Sequence, residues 1–221
     1  MFTINDTVLA SLIDMRLGNS RLHSTRFLPG KRNSKSPIKR PEINNNNTLA
    51  NINISGITAG HYDEKGSCTG GVFKFTDCNN VQIHNSILFG CGTEGLTLKN
   101  VTNFQFNNST IKNCSYGIMT VQDSLNINFN NSVFKDNKEF NLINVSSSDM
   151  NFESCSIYSN KTACTWVGDM YLFSLDKYSK VRVSNSTIKN NRVKNFSNEK
   201  INSQNNSFNG NDFENSELSQ N

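Results

Sequence analysis

The sequence predicts an all-β fold, a right-handed parallel β-helix, and three observations carry this prediction. A short apolar–polar–apolar segment recurs along the chain at steps of 23, 23, 23 and 31 residues. Two further apolar segments recur in the same register. The residues between the segments are small and polar, and asparagine alone accounts for 38 of the 221 residues. A fixed period of this length is the mark of a repeat architecture.

The first repeated segment predicts one strand per turn, because apolar and polar residues alternate in it. Its copies begin at Val81, Phe104, Ile127, Met150 and Val181. Each copy ends at a small polar pair, where asparagine recurs in register and Ser154 takes the fourth place; the asparagines are Asn85, Asn108, Asn131 and Asn185. Asparagine tolerates left-handed backbone and can hydrogen-bond to its copy on the next turn, so we expect a corner here.

Two more strands per turn follow from the remaining segments. The second segment comprises the copies at residues 72–75, 96–98, 118–121, 142–145 and 172–175. The third contains Leu88, Ile111, Phe134, Ile157 and Ile188, followed by Cys91, Cys114, Asn137, Asn160 and Asn191. Three strands in about 23 residues, separated by polar corners, predict a single-stranded solenoid.

Stacking explains why such a chain would coil. One turn cannot bury its apolar side chains alone, but turns stacked at about 4.8 Å form a continuous core. Leucine-rich repeats share the period, but leucine is too scarce here for their L-x-x-L-x-L frame. Helical repeats would need helix-period apolar faces, and an ordinary sandwich would not keep one register across five units.

The prediction for domain organisation has three parts. Residues 1–47 form a weakly helical or disordered basic segment, residues 48–200 a β-helix of about six turns, and residues 201–221 an Asn-rich degenerate or disordered tail. A short amphipathic helix is possible at residues 8–17. Insertions of about six residues at 59–69 and about eight at 161–170 interrupt the register, and both should project from the same edge of the coil.

Charge and hydropathy exclude several classes of function. No window approaches 18 consecutive apolar residues, so we expect no membrane insertion. Residues 1–48 hold eight basic residues against three acidic ones, and these charges cluster around Pro29, Pro37 and Pro41. This pattern indicates a solvated linker rather than a nucleic-acid surface, where basic and aromatic residues would interleave on one folded face. No export signal is readable at the N-terminus.

Residues 77–87 (DCNNVQIHNSI) and 107–114 (NNSTIKNC) resemble the repeats of right-handed parallel β-helix proteins of the pectin-lyase-like superfamily. The resemblance covers about residues 49–195. It implies the fold and suggests an extracellular or cell-surface location, but it does not identify a substrate, because function belongs to sites rather than folds. The hydrolase signature of paired aspartates, Gly-His-Gly and Arg-x-Lys is missing, so no catalytic residue of the superfamily can be carried over.

No catalytic, metal or cofactor site is predicted from the residues. The outward positions of the predicted sheets offer a single acid, Glu153, where a hydrolase needs a carboxylate pair and a lyase a calcium cage. Asp77 and Asp123 are in register two turns apart. Both lie at strand ends, where aspartate is a common turn residue. The three histidines have no metal-ligand spacing, and the six cysteines form no C-x-x-C motif.

Two hypotheses about function remain open. The first is a non-catalytic β-helix module with a binding or structural role, whose partner would be a glycan, a surface or another protein. The second is a degenerate carbohydrate-active enzyme, of the polysaccharide lyase or glycoside hydrolase type, using Glu94, Glu139 or Asp169. Both place the site on the edge that carries the insertions, and the candidate binding residues are Tyr62, Glu94, Tyr116, Glu139, Trp166 and Asp169. An enzyme needs two carboxylates in a cleft, whereas a binder needs only a polar surface with aromatic rings.

Overall fold

The computed structural model describes residues 2–5, 49–61, 71–90, 93–162 and 168–213. Its strands, in chain order, are β1 (Phe2–Asn5), β2 (Leu49–Ser55), β3 (Thr58–His61), β4 (Phe73–His84), β5 (Ile87–Gly90), β6 (Leu96–Asn107), β7 (Thr110–Lys112), β8 (Met119–Gln122), β9 (Leu125–Asn130), β10 (Val133–Lys135), β11 (Lys138–Glu139), β12 (Ile143–Ser146), β13 (Asp149–Glu153), β14 (Ser156–Tyr158), β15 (Lys161–Thr162), β16 (Tyr171–Leu175), β17 (Lys180–Ser184), β18 (Thr187–Lys189), β19 (Asn195–Ser197), β20 (Asn202–Gln204) and β21 (Ser207–Asn209). All strand pairs are parallel, as the repeat predicts.

The strands stack into three faces of a coil, and the predicted register is confirmed on each. Face A contains β8, β12, β16 and β19, with the first halves of β4 and β6. Face B contains β1, β2, β9, β13, β17 and β20, with the second halves of β4 and β6. Face C is a 7-stranded sheet of β3, β5, β7, β10, β14, β18 and β21. Asp77 and Asn80 in β4 adopt left-handed backbone, which lets that strand bend from face A to face B.

Apolar side chains from all three faces fill the interior. Phenylalanines form an axial stack in which each ring contacts the next at centroid separations of 4.8 to 6.3 Å. Its fully buried members are Phe104, Phe106, Phe129, Phe134, Phe152, Phe173 and Phe196. The phenylalanine stack and the buried Ile, Leu and Val side chains around it together form a continuous core despite the polar composition.

Polar side chains also point inward, at the corners between the faces. Ser86, Ser109 and Ser132 form one buried row, in which each backbone N–H donates to the serine hydroxyl of the next turn. Ser124 and Ser148 begin a second row. The third is the asparagine ladder of Asn137, Asn160, Asn191 and Asn211, joined by bonds of 2.9–3.1 Å.

The corner asparagines that were expected to form a ladder turn the chain instead. Asn85, Asn108 and Asn131 have φ of 51°, 49° and 49°, which confirms the left-handed backbone. Their side chains are exposed, however, and the buried ladder belongs instead to the row that begins at Cys114 and continues through Asn137. The outward-facing row turns the chain, and the inward-facing row satisfies buried backbone groups.

The two ends of the coil extend beyond the segments that the repeat pattern identified. Four residues, Phe2–Asn5, form a strand beside β2, whereas the helix expected at residues 8–17 lies outside the described residues. At the other end, β20 and β21 pair with β17 and β18, so the repeat continues past residue 200. Phe208 and Phe213 pack against Phe196 there.

Candidate functional site

Four of the six candidate residues lie on the edge where face C leads into face A. The backbone N–H of Tyr116 donates to the carbonyl of Thr93 (2.8 Å), which places Tyr116 beside Glu94 on the preceding turn. Glu139 lies on the following turn, in β11. Asp169 lies one turn further, just before β16. Tyr62 and Trp166 lie outside the described residues, as do most of the two insertions.

Tyr116 is joined on this edge by an aromatic residue that the sequence did not single out. The rings of Tyr116 and Phe140 are in contact, with centroids 5.3 Å apart and planes at 44°. They are 41% and 37% exposed, and among the described residues they are the two large hydrophobic side chains that are exposed. In the sequence, the signal for Phe140 is an apolar residue directly after Glu139, in the connection between β11 and β12.

The carboxylates of this edge are each held by a neighbouring group. Glu94 Oε1 accepts a hydrogen bond of 2.6 Å from the Thr97 hydroxyl. Asp169 Oδ1 lies 2.7 Å from Lys194 Nζ, and the hydrogen bond and positive charge of that lysine hold the pKa of Asp169 below its usual range. Glu139 has a left-handed φ of 89° within β11. These three carboxylates belong to three different turns of the coil.

Asp77 and Asp123 serve the turns of the coil. Asn100 Nδ2 donates to Asp77 Oδ1 (2.6 Å), and Asp77 and Asp123 both have left-handed backbone. The turn interpretation of this pair is therefore confirmed. Glu153 on face B accepts hydrogen bonds from the Ser184 hydroxyl and from Asn185 Nδ2, and these bonds lower its pKa.

The three cysteines within the described residues are not placed for nucleophilic catalysis or metal binding. Cys78, Cys114 and Cys155 are buried in the core, as expected, while the other three cysteines lie outside the described residues. Desolvation raises the pKa of Cys78 to about 11 and that of Cys155 to about 11, and it raises the pKa of Cys114 further. A thiol with a raised pKa is a poor nucleophile and metal ligand. Within the described ranges, no group of three or more His, Cys, Asp and Glu side chains is placed to hold a metal ion.

The edge and the fold together define a class of protein: a parallel β-solenoid with an exposed aromatic pair on one edge. A family model, "Right handed beta helix region", matches residues 70–221. The chain therefore belongs to the right-handed β-helix family, which confirms the fold and its handedness and is consistent with the pectin-lyase-like superfamily.

Other comparisons add little to this assignment. The chain is similar to a solved structure, the Streptococcus pneumoniae surface protein and adhesin PfbA, at 13% identity and a TM-score of 0.21, over 74% of this chain and 76% of that one. No curated protein matches the sequence. Throughout the described residues, no helix is long and apolar enough to cross a membrane.

Proposed function

We propose that the chain is a non-catalytic binding module whose edge between faces C and A contacts a glycan. The observation that carries the proposal is the contact pair of Tyr116 and Phe140, two exposed rings at 5.3 Å on a polar edge. Exposed aromatic residues on an otherwise polar surface mark binding sites, because burying them on a ligand removes apolar area from water. Glu94 beside Tyr116 offers a hydrogen-bond acceptor for sugar hydroxyls.

The alternative, a degenerate carbohydrate-active enzyme, has less support. An acid and a base must lie about 5–10 Å apart on the two sides of one bond. Glu94 accepts a hydrogen bond from Thr97, and Asp169 pairs with Lys194, so each of these carboxylates already has a partner within the protein. The outward row of face A in the described turns, Lys74, Thr97, Thr120, Asn144 and Ser174, carries no carboxylate.

An array of neutral and acidic glycans, probed with the wild type and with the double variant Tyr116→Ala/Phe140→Ala, tests the proposal. We expect the wild type to bind a subset of glycans and the variant to lose about tenfold or more in affinity, since two aromatic contacts contribute more than about 1.4 kcal/mol. The matched control is Tyr178→Ala, which removes a ring at the corner between faces A and B. A second variant, Tyr62→Ala/Trp166→Ala, asks whether the insertions contribute to the same site.

Two outcomes would overturn the proposal. One is a wild-type protein that binds no glycan on the array. The other is a folded Tyr116→Ala/Phe140→Ala variant with unchanged affinity. Release of reducing sugars by the wild type, measured on the same glycans, would favour the enzyme instead.

A further inference from the structure

The last turn of the described coil carries the one Asn-Gly pair of the sequence, Asn209 and Gly210. Asn209 is the final residue of β21, and it is in register with Lys189 on the preceding turn. Gly210 occupies the corner that follows, with a left-handed φ of 63°. Both residues are exposed, so water reaches the side-chain amide of Asn209 and the backbone nitrogen of Gly210.

Glycine suits this corner for two physical reasons. Left-handed backbone costs glycine little, because glycine has no Cβ. A Cβ at Gly210 would also lie 2.5 Å from Asn190 Oδ1, so a side chain there would have to displace that of Asn190. The absence of a side chain has a chemical consequence too, since nothing shields the nitrogen of Gly210 from the side chain of Asn209.

The backbone nitrogen of Gly210 differs from those of the equivalent corners on earlier turns, where the N–H donates to a carbonyl of the next turn. These bonds run from Asn113 to Lys135 (3.3 Å), from Asp136 to Tyr158 (3.4 Å), from Ser159 to Lys189 (3.2 Å) and from Asn190 to Asn209 (3.0 Å). The described residues contain no acceptor for the N–H of Gly210 and no partner for the side-chain amide of Asn209. Breaking a hydrogen bond costs free energy, so the nitrogen of Gly210 is the one in this row that can lose its proton and turn without that cost.

We propose that Asn209 is a site of spontaneous deamidation, and that the open last turn makes it the most reactive asparagine of the described coil. Asparagine is a thermolabile residue. Solvent base removes the proton of the Gly210 nitrogen, which then attacks Cγ of Asn209; the Cγ–Nδ2 bond breaks, and Nδ2 takes a proton from water and leaves as ammonia. The resulting five-membered succinimide takes up one water, which opens the ring at either carbonyl. The products are aspartate and isoaspartate, and the reaction needs no oxidant, reductant or enzyme.

Isoaspartate changes the end of the asparagine ladder. In isoaspartate the main chain passes through the side-chain carbons, which adds a methylene group to the backbone before Gly210. Asn211 follows directly, and its Oδ1 accepts hydrogen bonds from the backbone N–H (3.0 Å) and from Nδ2 (2.9 Å) of Asn191. A longer corner moves Asn211 away, so we expect the backbone N–H of Asn191 to exchange faster with solvent. Aspartate adds a charge without lengthening the backbone and leaves that N–H protected.

Mass spectrometry of the full-length chain, kept folded at mildly alkaline pH, tests the proposal. Each deamidation adds about 1 Da, and peptide mapping locates it. A synthetic peptide of residues 205–213 gives the rate that the local sequence allows without the fold. We expect Asn209 in the folded chain to react within about threefold of the peptide rate, because exposed chain ends open at almost no cost. Asn209→Gln keeps an amide that reacts far more slowly, and it measures the deamidation that arises elsewhere in the chain.

The matched control places the same dipeptide one turn earlier. In the variant Lys189→Asn/Asn190→Gly, the new pair lies at a corner whose nitrogen donates to the carbonyl of Asn209. Asn190 has a left-handed φ of 54°, which glycine adopts readily. Two Asn-Gly pairs in one molecule then differ in the hydrogen bond of the attacking nitrogen. We expect position 189 to deamidate about tenfold or more slowly than Asn209.

Two results would overturn the proposal. One is a folded wild type in which Asn209 stays intact while the peptide reacts, because the fold would then protect the site. The other is equal rates at the two positions of the control variant, because the free nitrogen would then make no difference. If that variant fails to fold, the comparison of wild type and peptide decides alone.

Hydrogen exchange at Asn191 tests the effect on the ladder. We expect faster exchange in an aged wild type that contains isoaspartate and unchanged exchange in Asn209→Asp, which reproduces the charge without the longer backbone. Unchanged exchange in the aged protein would overturn the effect on Asn211, and equally faster exchange in Asn209→Asp would assign the effect to charge instead.

Discussion

Single residues at the corners determine how each strand leads into the next. Residues with left-handed backbone recur at the corners, and the row Asn113, Asp136, Ser159 and Asn190 shows this with φ between 54° and 58°. Left-handed backbone costs most residues about 1–2 kcal/mol, whereas Asn and Asp adopt it more readily because their short side chains hydrogen-bond locally. Corners that recur on every turn therefore account for part of the high asparagine content.

Asp176 shows what a carboxylate contributes at such a corner. Burial raises its pKa, but hydrogen bonds from the Ser179 hydroxyl and from the backbone N–H groups of Ser147 and Tyr178 outweigh that effect and leave the pKa below its ordinary value. We expect Asp176→Ala to lower the free energy of unfolding by about 2 kcal/mol at pH 7. The stabilisation is present above the pKa of the unfolded state and is lost as pH falls through the lower, folded pKa.

Urea unfolding of the wild type and Asp176→Ala at pH 7 and at progressively lower pH checks this expectation. The difference between the two proteins should shrink as the pH falls below the ordinary range of an aspartate. A difference that stayed constant across this range would mean that Asp176 acts through packing rather than charge.

Phe106 shows the corresponding contribution of one core residue. Its ring is fully buried, and it contacts Phe129 at 5.9 Å and Phe134 at 6.3 Å. Phe106→Ala should lower the free energy of unfolding by about 3–5 kcal/mol, because the rigid stack cannot collapse into the cavity. Thermal unfolding followed by circular dichroism measures the loss, and Phe140→Ala is the matched control because that ring is 37% exposed. Equal melting temperatures for wild type and Phe106→Ala would contradict the inward register.

The asparagine ladder links neighbouring elements in a way that no single turn could achieve. Asn160 Nδ2 donates to the carbonyl of Phe134 (3.0 Å) and to Asn191 Oδ1 (2.9 Å). Its own Oδ1 accepts from the backbone N–H of Asn137 (3.1 Å). The side chain thus satisfies buried polar groups on the turns before and after it, which would otherwise face the apolar core.

Asn160→Ala should therefore destabilise the protein by about 3–5 kcal/mol, because more than one buried group loses its partner at about 1–3 kcal/mol each. Asn131→Ala is the control: it removes an exposed asparagine whose part is to adopt left-handed backbone, and about 1–2 kcal/mol is the expected cost. Guanidinium unfolding compares the two. A loss from Asn160→Ala no larger than that from Asn131→Ala would show that the buried bonds contribute little beyond the corner geometry.

At the scale of the whole molecule, the coil is held together turn by turn. Each turn contacts its two neighbours, so stability is approximately a sum over turns and the interfaces between them. Different residues cover the two ends of the coil. At one end, β1 adds a four-residue strand to β2. At the other, Phe208 and Phe213 cover Phe196.

We predict that deletion of residues 1–46 leaves a cooperatively folded coil whose melting temperature falls by a few degrees, because only the β1–β2 pairing is lost from the described structure. Deletion of residues 201–221 is the comparison and should cost more, since it exposes the buried ring of Phe196. Circular dichroism melting curves distinguish the two truncations. Loss of cooperative unfolding on removal of residues 1–46 would mean that the N-terminal segment caps the first turn.

The sequence by itself determined the period, the three faces and the identity of the inward apolar residues, because a 23-residue register repeats a local alternation that needs no long-range information. Phe106, Phe129 and Phe152 could be placed in one core row from spacing alone. The inward and outward asparagines could not be told apart, since one residue type serves both the exposed corner at Asn131 and the buried ladder at Asn137.

Only the tertiary structure decided which candidate site residues meet. Tyr116 and Phe140 are 24 residues apart. Their contact depends on the conformations of two irregular loops that connect regular strands. The ion pair of Asp169 with Lys194 likewise joins residues on different turns. Corner loops have no period of their own, so their side-chain contacts follow from the stacking of the turns and not from the repeat itself.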